Sequence, residues 1–166
     1  MKRLIVPVLM LTALSGCGLQ PLYSGGSTGA VATTLGSVSV DPIEGKSGWL
    51  MRNALSDRLR AGDGTARYRL TVALDDQIEG FGIRADDTIT RERRTLRARY
   101  QLVDTTTGTT VIDATAGSDA GIDVVSSEYA TIAAEQTALE NLSKEVADRI
   151  VTNLALQLRK GAAGQP

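Results

Sequence analysis

The sequence predicts an α+β domain of two layers, in which two helices cover one face of a mostly antiparallel four-stranded sheet. Two patterns predict this class: segments that alternate apolar and polar residues, and segments whose apolar residues recur every three to four positions. The segments follow the order β-α-β-β-β-α, and each has a single apolar side. The 166 residues are 42% hydrophobic and 22% charged, which is typical of one globular domain.

The first sixteen residues are typical of a signal peptide. Two basic residues precede an apolar run at residues 4–14, which is too short for a membrane span of about 20 residues. The run leads into Leu14-Ser15-Gly16-Cys17, which resembles the lipobox of bacterial lipoproteins. We therefore expect cleavage after residue 16 and a diacylglycerol on the Cys17 thiol, with a further acyl chain such as palmitate on the freed amine.

Cys17 is the only cysteine, and the chain contains no histidine. These counts exclude an internal disulfide, a His- or Cys-based zinc site, a Ser-His-Asp triad and a Cys-His pair. The alternative for Cys17 is a small residue beside an ordinary cleavage site, although a lone thiol is a liability in an oxidising compartment. Gly18, in place of Asp, favours the outer membrane over the inner one.

Residues 17–32 are expected to form a lipidated flexible tether, because Gly, Ser, Thr and Ala dominate there. The α+β domain is expected over residues 33–160. Its first strand is predicted at residues 35–43. A helix follows, capped by Ser47 and ending near Arg60, and its apolar face repeats every three to four residues.

Period-two alternation predicts the middle strands. One begins near residue 66, and residues 75–87, which contain two Asp pairs and two glycines, are predicted as a long hairpin tip. The next strand resumes by Thr90 and turns at residues 104–108. The last strand is predicted at residues 109–116, where the alternation is too weak to indicate the buried side.

A long helix is predicted from Ser127 to about Lys160, a stretch without Gly or Pro, and residues 161–166 are expected to be a disordered tail. At 1.5 Å per residue this helix is about 50 Å long. Its apolar stripe consists of Tyr129, Ile132, Leu139, Leu142, Val146, Ile150, Leu154 and Leu158.

Arginines concentrate on one predicted sheet face. Alternation places four of them on the side opposite the apolar residues, and two from the preceding strand join them if the strands form a hairpin. The candidates are Arg91, Arg93, Arg97, Arg99, Arg67 and Arg69. Guanidinium groups bind phosphate and carboxylate oxygens in pairs of hydrogen bonds. The alternative is a solvated face, partly neutralised by nearby acids, in an arginine-rich chain.

Other chemistry is disfavoured. The lysines do not occur in a Ser-x-x-Lys pattern, and the Asp pairs 75–76 and 86–87 are more typical of solvated turns than of a metal site. We therefore expect no enzymatic activity, no cofactor and no bound metal. The net charge of −1 and the few aromatic residues disfavour nucleic acid as a partner.

Short segments over nearly the whole mature chain follow the pattern of one lipoprotein family. They are Cys17-Gly18-Leu19-Gln20-Pro21-Leu22-Tyr23, Tyr68-Arg69-Leu70-Thr71-Val72, Thr90-Arg91, Ala98-Arg99-Tyr100-Gln101-Leu102-Val103-Asp104, Thr107-Gly108, Tyr129-Ala130, Ala134-Glu135 and Ala138. By their order and spacing the chain resembles the LptE family of lipopolysaccharide-assembly lipoproteins, and its start is most similar to alphaproteobacterial members.

The resemblance implies a non-catalytic plug inside a large outer-membrane β-barrel of the LptD type, which inserts lipopolysaccharide into the outer leaflet. It also implies lipopolysaccharide binding, with the phosphates and acidic sugars of that lipid on the arginine face. Arg91 and Arg99 lie in matching segments and are the first candidates. An auxiliary lipoprotein of a lipid-transport ABC system is the alternative.

Overall fold

The structure is a computed structural model that describes residues 29–60, 66–83 and 89–163. The predicted signal peptide, Cys17 and most of the predicted tether lie outside the described residues, as do residues 164–166. Seven elements follow one another along the chain: α1 (Ala30–Gly36), β1 (Val38–Val40), α2 (Gly45–Leu59), β2 (Tyr68–Ile83), β3 (Ile89–Asp104), β4 (Thr110–Asp123) and α3 (Glu128–Ala163).

The four strands form one sheet in the order β1-β2-β3-β4. Strands β2, β3 and β4 are an antiparallel meander, and β1 pairs with β2 in parallel. The predicted α+β class is therefore confirmed, with a sheet that is mixed through the three residues of β1.

The registers place even-numbered residues of β2, β3 and β4 on a common face, because Val72 pairs with Tyr100 and Leu102 pairs with Ile112. That face packs against the helices, and Leu96, Tyr100 and Leu102 are fully buried there. The odd-numbered residues form the opposite face, which we call the open face. This division between a covered and an open face positions every candidate arginine.

The predicted hairpin tip at residues 75–87 is wrong for residues 75–83, because β2 continues through them. Strand β2 runs to Ile83 and β3 begins at Ile89. Asp76 does not mark a turn: its carboxylate forms a salt bridge with Arg94 across the strand pair, at 2.7 Å. Cross-strand pairs of opposite charge stabilise a sheet that the individual residue types disfavour.

Strand β4 extends seven residues beyond its predicted end at residue 116 and reaches Asp123. Its even-numbered residues face the helices, and Ile112 and Ile122 are buried. Between these two isoleucines the covered side carries only small residues, such as Ala114, Ala116 and Ala120. The apolar alternation is weak for that reason, so the sequence pattern did not reveal the full strand.

The first part of the domain also differs from the prediction. Helix α1 was not predicted, and the strand expected at residues 35–43 is only Val38–Val40. Helix α2 begins at Gly45 with Glu44 as its N-cap residue, so the predicted cap at Ser47 is wrong. Its apolar face is confirmed by the burial of Met51, Leu55 and Leu59.

Helix α3 has 36 residues, which corresponds to about 54 Å. Near its start the Ala130 N–H donates to Ser127 Oγ at 3.4 Å. The predicted stripe is buried from Leu139 to Leu154, whereas Tyr129 is 84% exposed. The helix continues to Ala163, into the segment expected to be a tail. In the described ranges no helix has the length and apolar character needed to cross a membrane.

Candidate functional site: the open face of the sheet

The arginine row of β3, which consists of Arg91, Arg93, Arg97 and Arg99, lies on the open face as predicted. Eight residues separate its ends, so the row extends over about 26 Å of strand. The covered face of β3 packs against α3, so the row lies on the opposite side of a strand that belongs to the core.

Three arginines of the row have an aspartate partner on β4. Arg91 Nε lies 3.0 Å from Asp123 Oδ1, and Arg93 Nε lies 4.0 Å from Asp119 Oδ2. Arg99 donates two hydrogen bonds to Asp113, at 3.3 and 3.0 Å. We call these three pairs the Arg–Asp ladder: Arg91–Asp123, Arg93–Asp119 and Arg99–Asp113.

The ladder is solvated and locally neutral. The Arg99 side chain is 68% exposed, and water screens pairs at such exposure. Hydrogen bonds from Arg99 and Gln101, together with the Arg99 charge, hold the pKa of Asp113 below its usual value. Arg93 also lies over the Phe81 ring, at 5.3 Å from its centroid. The ladder therefore favours the alternative of partial neutralisation for these three arginines.

The two candidates from the preceding segment lie near the β1 end of the sheet, and Arg69, which pairs with Val103 on β3, is on the open face as predicted. Arg67 lies just before β2, with Nε 3.7 Å from Asp104 Oδ2 and its guanidinium over the Tyr68 ring. Arg69 lies on β2, where Nε is 3.8 Å from Asp41 Oδ1. Both arginines are thus balanced by acids near the β1 end of the sheet.

Arg97 is different. Its register partners are Asp75 on β2 and Gly117 on β4, yet within the described residues no carboxylate lies within 4.0 Å of its guanidinium. A Cβ atom at Gly117 would lie 3.3 Å from Arg97 Cγ, so the arginine side chain occupies the space above this glycine.

Two further arginines matter that were not among the candidates. Arg94, on the covered face, forms a salt bridge with Asp76 and donates to the Glu135 carbonyl of α3 at 2.9 Å. Arg149 projects from α3 to β4 and donates to the Gly117 carbonyl at 2.6 Å. Because residue 94 is even-numbered, the alternation of β3 could have placed its side chain on the covered face. Nothing in the sequence indicated the contact of Arg149.

The ladder aspartates were missed for two reasons. The strand predicted at residues 109–116 ended before Asp119 and Asp123, and its weak alternation did not indicate the face on which Asp113 lies. Asp113, Asp119 and Asp123 are all odd-numbered, so a strand drawn to residue 123 would have placed them on the open face. As it stands, the face presents alternating guanidinium and carboxylate groups that suit a polar, charge-complementary partner. Over the three described ranges, no group of three or more metal-ligating side chains is present.

Comparisons with known proteins agree with this architecture. A putative lipoprotein from Caulobacter crescentus CB15 is 29% identical, covers 81% of this chain and 97% of its own, and superposes with a TM-score of 0.66. The rare lipoprotein B from Shewanella oneidensis is 12% identical, with 74% and 95% coverage and a TM-score of 0.58. A minor lipoprotein from Acinetobacter baumannii is 15% identical, with 72% and 90% coverage and a TM-score of 0.57.

No curated protein sequence matches the chain significantly. A family model does: the model described as LptE, lipopolysaccharide-assembly, matches residues 35–154. This range begins at the end of α1 and ends in the last third of α3, so it includes the whole sheet and most of the helical layer. The chain therefore belongs to the LptE family of lipopolysaccharide-assembly lipoproteins.

Proposed function

We propose that this protein is the lipid-anchored plug of an outer-membrane β-barrel of the LptD type, and that it assists the barrel in inserting lipopolysaccharide into the outer leaflet. In this role it catalyses no reaction. Cys17 carries the lipid, and the protein acts from the periplasmic side or inside the barrel lumen. Family membership supports the pathway, and the geometry of the open face supports the role of a plug.

The proposal rests on the open face of the sheet: no helix of the described residues covers it, and most of its side chains are polar or charged. The lumen of a large outer-membrane barrel is itself polar. A surface of paired charges can exchange partners with such a wall without burying a net charge, whose desolvation is expensive. The Arg–Asp ladder gives the open face this property along most of β3.

The partner is tested by native copurification. A tagged full-length protein is solubilised from membranes in mild detergent, and its companions are identified by mass spectrometry. We expect a large β-barrel lipopolysaccharide-assembly protein in stoichiometric amount. Recovery of an ABC-transport complex in its place would contradict the proposal and favour the auxiliary lipoprotein.

The anchor is tested by a Cys17→Ala variant. We expect it to remain uncleaved or to be released in soluble form, because the acceptor thiol is missing. Mass spectrometry of the native N-terminal peptide should show diacylglycerol on Cys17. An unmodified terminus with normal attachment to the outer membrane would refute lipidation. Depletion of the protein should also lower surface lipopolysaccharide, and unchanged surface lipopolysaccharide would contradict the role in assembly.

A further inference from the structure

The only tryptophan of the chain, Trp49, lies on the outer side of α2. It is 64% exposed, although the indole ring is one of the largest apolar groups in proteins. The inner side of the helix is occupied by Met51, Leu55 and Leu59, which are all buried. Trp49 therefore contributes little to the core, and its ring is free to contact a partner outside the domain.

Gly48 determines how α2 is seated. A Cβ atom at this position would lie 2.5 Å from the Ile43 carbonyl oxygen, so the loop before α2 lies directly against the helix. This contact buries Gly48 on the inner side of α2 and leaves its neighbour Trp49 on the outer side. The exposure of the indole thus follows from how the first turns of α2 pack.

Two basic residues flank Trp49 along the helix. Lys46 and Arg52 are three residues before and three residues after it, so the three side chains share one stripe of the helix surface, which we call the Trp49 row. Both basic residues are exposed, and neither forms a salt bridge with another described residue. Glu44, the N-cap residue, adds one negative charge, so this surface keeps a net positive charge.

The Trp49 row lies near the end of the domain that continues into the predicted anchor. Helix α1 leads into β1, α2 packs against β1, and a Cβ atom at Gly36 would lie 3.6 Å from the Arg60 carbonyl oxygen at the end of α2. Residues 18–28 link Cys17 to this end, and a fully extended chain of that length reaches about 40 Å. The 15 residues of α2 extend over only about 22 Å. A lipid on Cys17 and the Trp49 row can therefore reach the same membrane surface.

We propose that the Trp49 row contacts the headgroup layer of the membrane that holds the Cys17 lipid. Tryptophan favours the boundary between headgroups and acyl chains, because its ring is apolar and its N–H donates to polar groups. The two basic side chains beside it are attracted to the phosphates of anionic phospholipids. Their alkyl stems lie along the same boundary while their charged ends stay in water.

This inference deepens the proposed function, on which it rests for the lipid at Cys17, and it gives the plug an orientation. The end with α1, β1 and α2 stays at the membrane surface, and the opposite end points away from it. At the opposite end the Val124 N–H donates to the Thr90 carbonyl at 2.9 Å, and Tyr129 follows in the first turn of α3. The 16 residues of β3 separate the two ends by about 50 Å.

The test uses the fluorescence of Trp49, which is the only tryptophan to report. The full-length mature lipoprotein is reconstituted on vesicles of phosphatidylethanolamine and phosphatidylglycerol, with or without bromine on the acyl chains. We expect the emission to move to shorter wavelength and to fall about twofold with brominated lipid, because an indole at the headgroup level lies close to the acyl chains. Emission typical of water from protein that floats with the vesicles would overturn the contact.

A probe at the opposite end is the matched control. Tyr129 is 84% exposed, so the double variant Trp49→Phe and Tyr129→Trp moves the single indole there without disturbing the core. We expect this probe to keep an emission typical of water and to resist quenching by brominated lipid. Equal quenching of the two probes would mean that the domain has no preferred orientation, and it would overturn the proposal.

The charges of the row are tested by Lys46→Gln. We expect the equilibrium constant between the docked and the free domain, measured from the quenching, to fall about fivefold, as is usual for one basic residue near an anionic surface. Lys144→Gln on α3 removes the same charge from another exposed lysine and should leave the constant unchanged. Equal effects of the two variants would overturn the role of the row.

Flotation and copurification separate this inference from the proposed function. A wild-type protein that does not float with the vesicles would overturn the anchor and the contact together. A protein that floats, copurifies with the barrel and keeps Trp49 in water would overturn the contact alone. Quenching of Trp49 in a protein without any barrel companion would overturn the plug and leave the membrane contact standing.

Discussion

Each face of β3 carries an Arg–Asp ion pair of the same type, but the two pairs differ in their exposure to water. Arg94 on the covered face and Arg99 on the open face each donate two hydrogen bonds to an aspartate on a neighbouring strand. The Arg94 side chain is 12% exposed and that of Asp76 is 19% exposed. The corresponding fractions for Arg99 and Asp113 are 68% and 40%.

The surroundings determine what each pair does. Arg94 also donates to the Glu135 carbonyl, so it links β2, β3 and α3 at one point. A pair that is largely removed from water leaves an uncompensated charge if one partner is lost. Water can replace either partner of the exposed pair. The covered face therefore uses the pair to hold the layers together, and the open face keeps its pairs exchangeable for a partner.

The largest difference between the faces should appear at Leu96 and Arg97, which are adjacent in sequence. Leu96 is fully buried beneath α3. We expect Leu96→Ala to lower the free energy of unfolding by about 3 kcal/mol, because it removes core contacts and leaves a cavity. Chemical denaturation measures this loss. Arg97→Ala should leave the denaturation midpoint nearly unchanged, and comparable losses at both positions would contradict the division into a covered and an open face.

A smaller effect is expected from Arg94→Gln. Removing the guanidinium leaves the Asp76 carboxylate largely buried and without its counter-ion, so we expect a loss of about 2 kcal/mol in the free energy of unfolding. Arg99→Gln is the matched control, and its denaturation midpoint should stay within experimental error of the wild type. The Arg94→Gln and Asp76→Asn double variant should lose less than the sum of the single losses. Strict additivity would show that the two groups do not act together.

The sequence predicted the class of the fold and the face of the arginine row for a clear physical reason. In a strand with one buried side, apolar and polar residues alternate. The alternation is clear in β3, because most of its buried residues are large and apolar: Leu96, Ala98, Tyr100 and Leu102. Strand β4 lacks this contrast, because Ala114, Ala116 and Ala120 occupy its covered side. Its full length, and with it Asp119 and Asp123 of the ladder, was therefore not predictable from apolar alternation, and neither was the face on which Asp113 lies.

Residue preferences alone also misplaced the end of β2. Asp75, Asp76 and the glycines Gly80 and Gly82 are typical turn residues, yet they lie inside β2. Gly80 leaves room for the Ile89 side chain of the opposite strand, whose Cδ1 would lie 2.8 Å from a Cβ atom at this position. Local preference was outweighed by pairing with β3, and such pairing partners are known only once the register is known.

Stripe residues of α3 show the same dependence on tertiary contacts. Their spacing predicted one buried face from Tyr129 onwards, and the prediction is confirmed only from Leu139 to Leu154. The first turns lie beyond the well-packed part of the layers, where Tyr129 and Ile132 are exposed. Periodicity identifies the side of a helix that can pack, but the length of the opposing sheet decides how much of it does.

Glu92 is a carboxylate on the covered face that, unlike Arg94, has no partner of opposite charge among the described residues. Its Oε2 atom is buried and has no hydrogen-bond partner among the described residues. Burial raises the pKa of Glu92, and the charge of the neighbouring Glu135 raises it further. We expect Glu92→Gln to raise the free energy of unfolding at pH 7 by about 1 kcal/mol, because an amide can donate to Glu135.

The pH dependence of this gain distinguishes its cause. Because the folded pKa of Glu92 is raised, its ionisation destabilises the native state as the pH rises through that value. At a pH below the ordinary pKa of glutamate, Glu92 is protonated in both states and the penalty is absent. The difference between Glu92→Gln and the wild type should therefore shrink as the pH falls in a denaturation series. A gain that is constant from neutral to acidic pH would mean that packing, and not the buried charge, separates the two proteins.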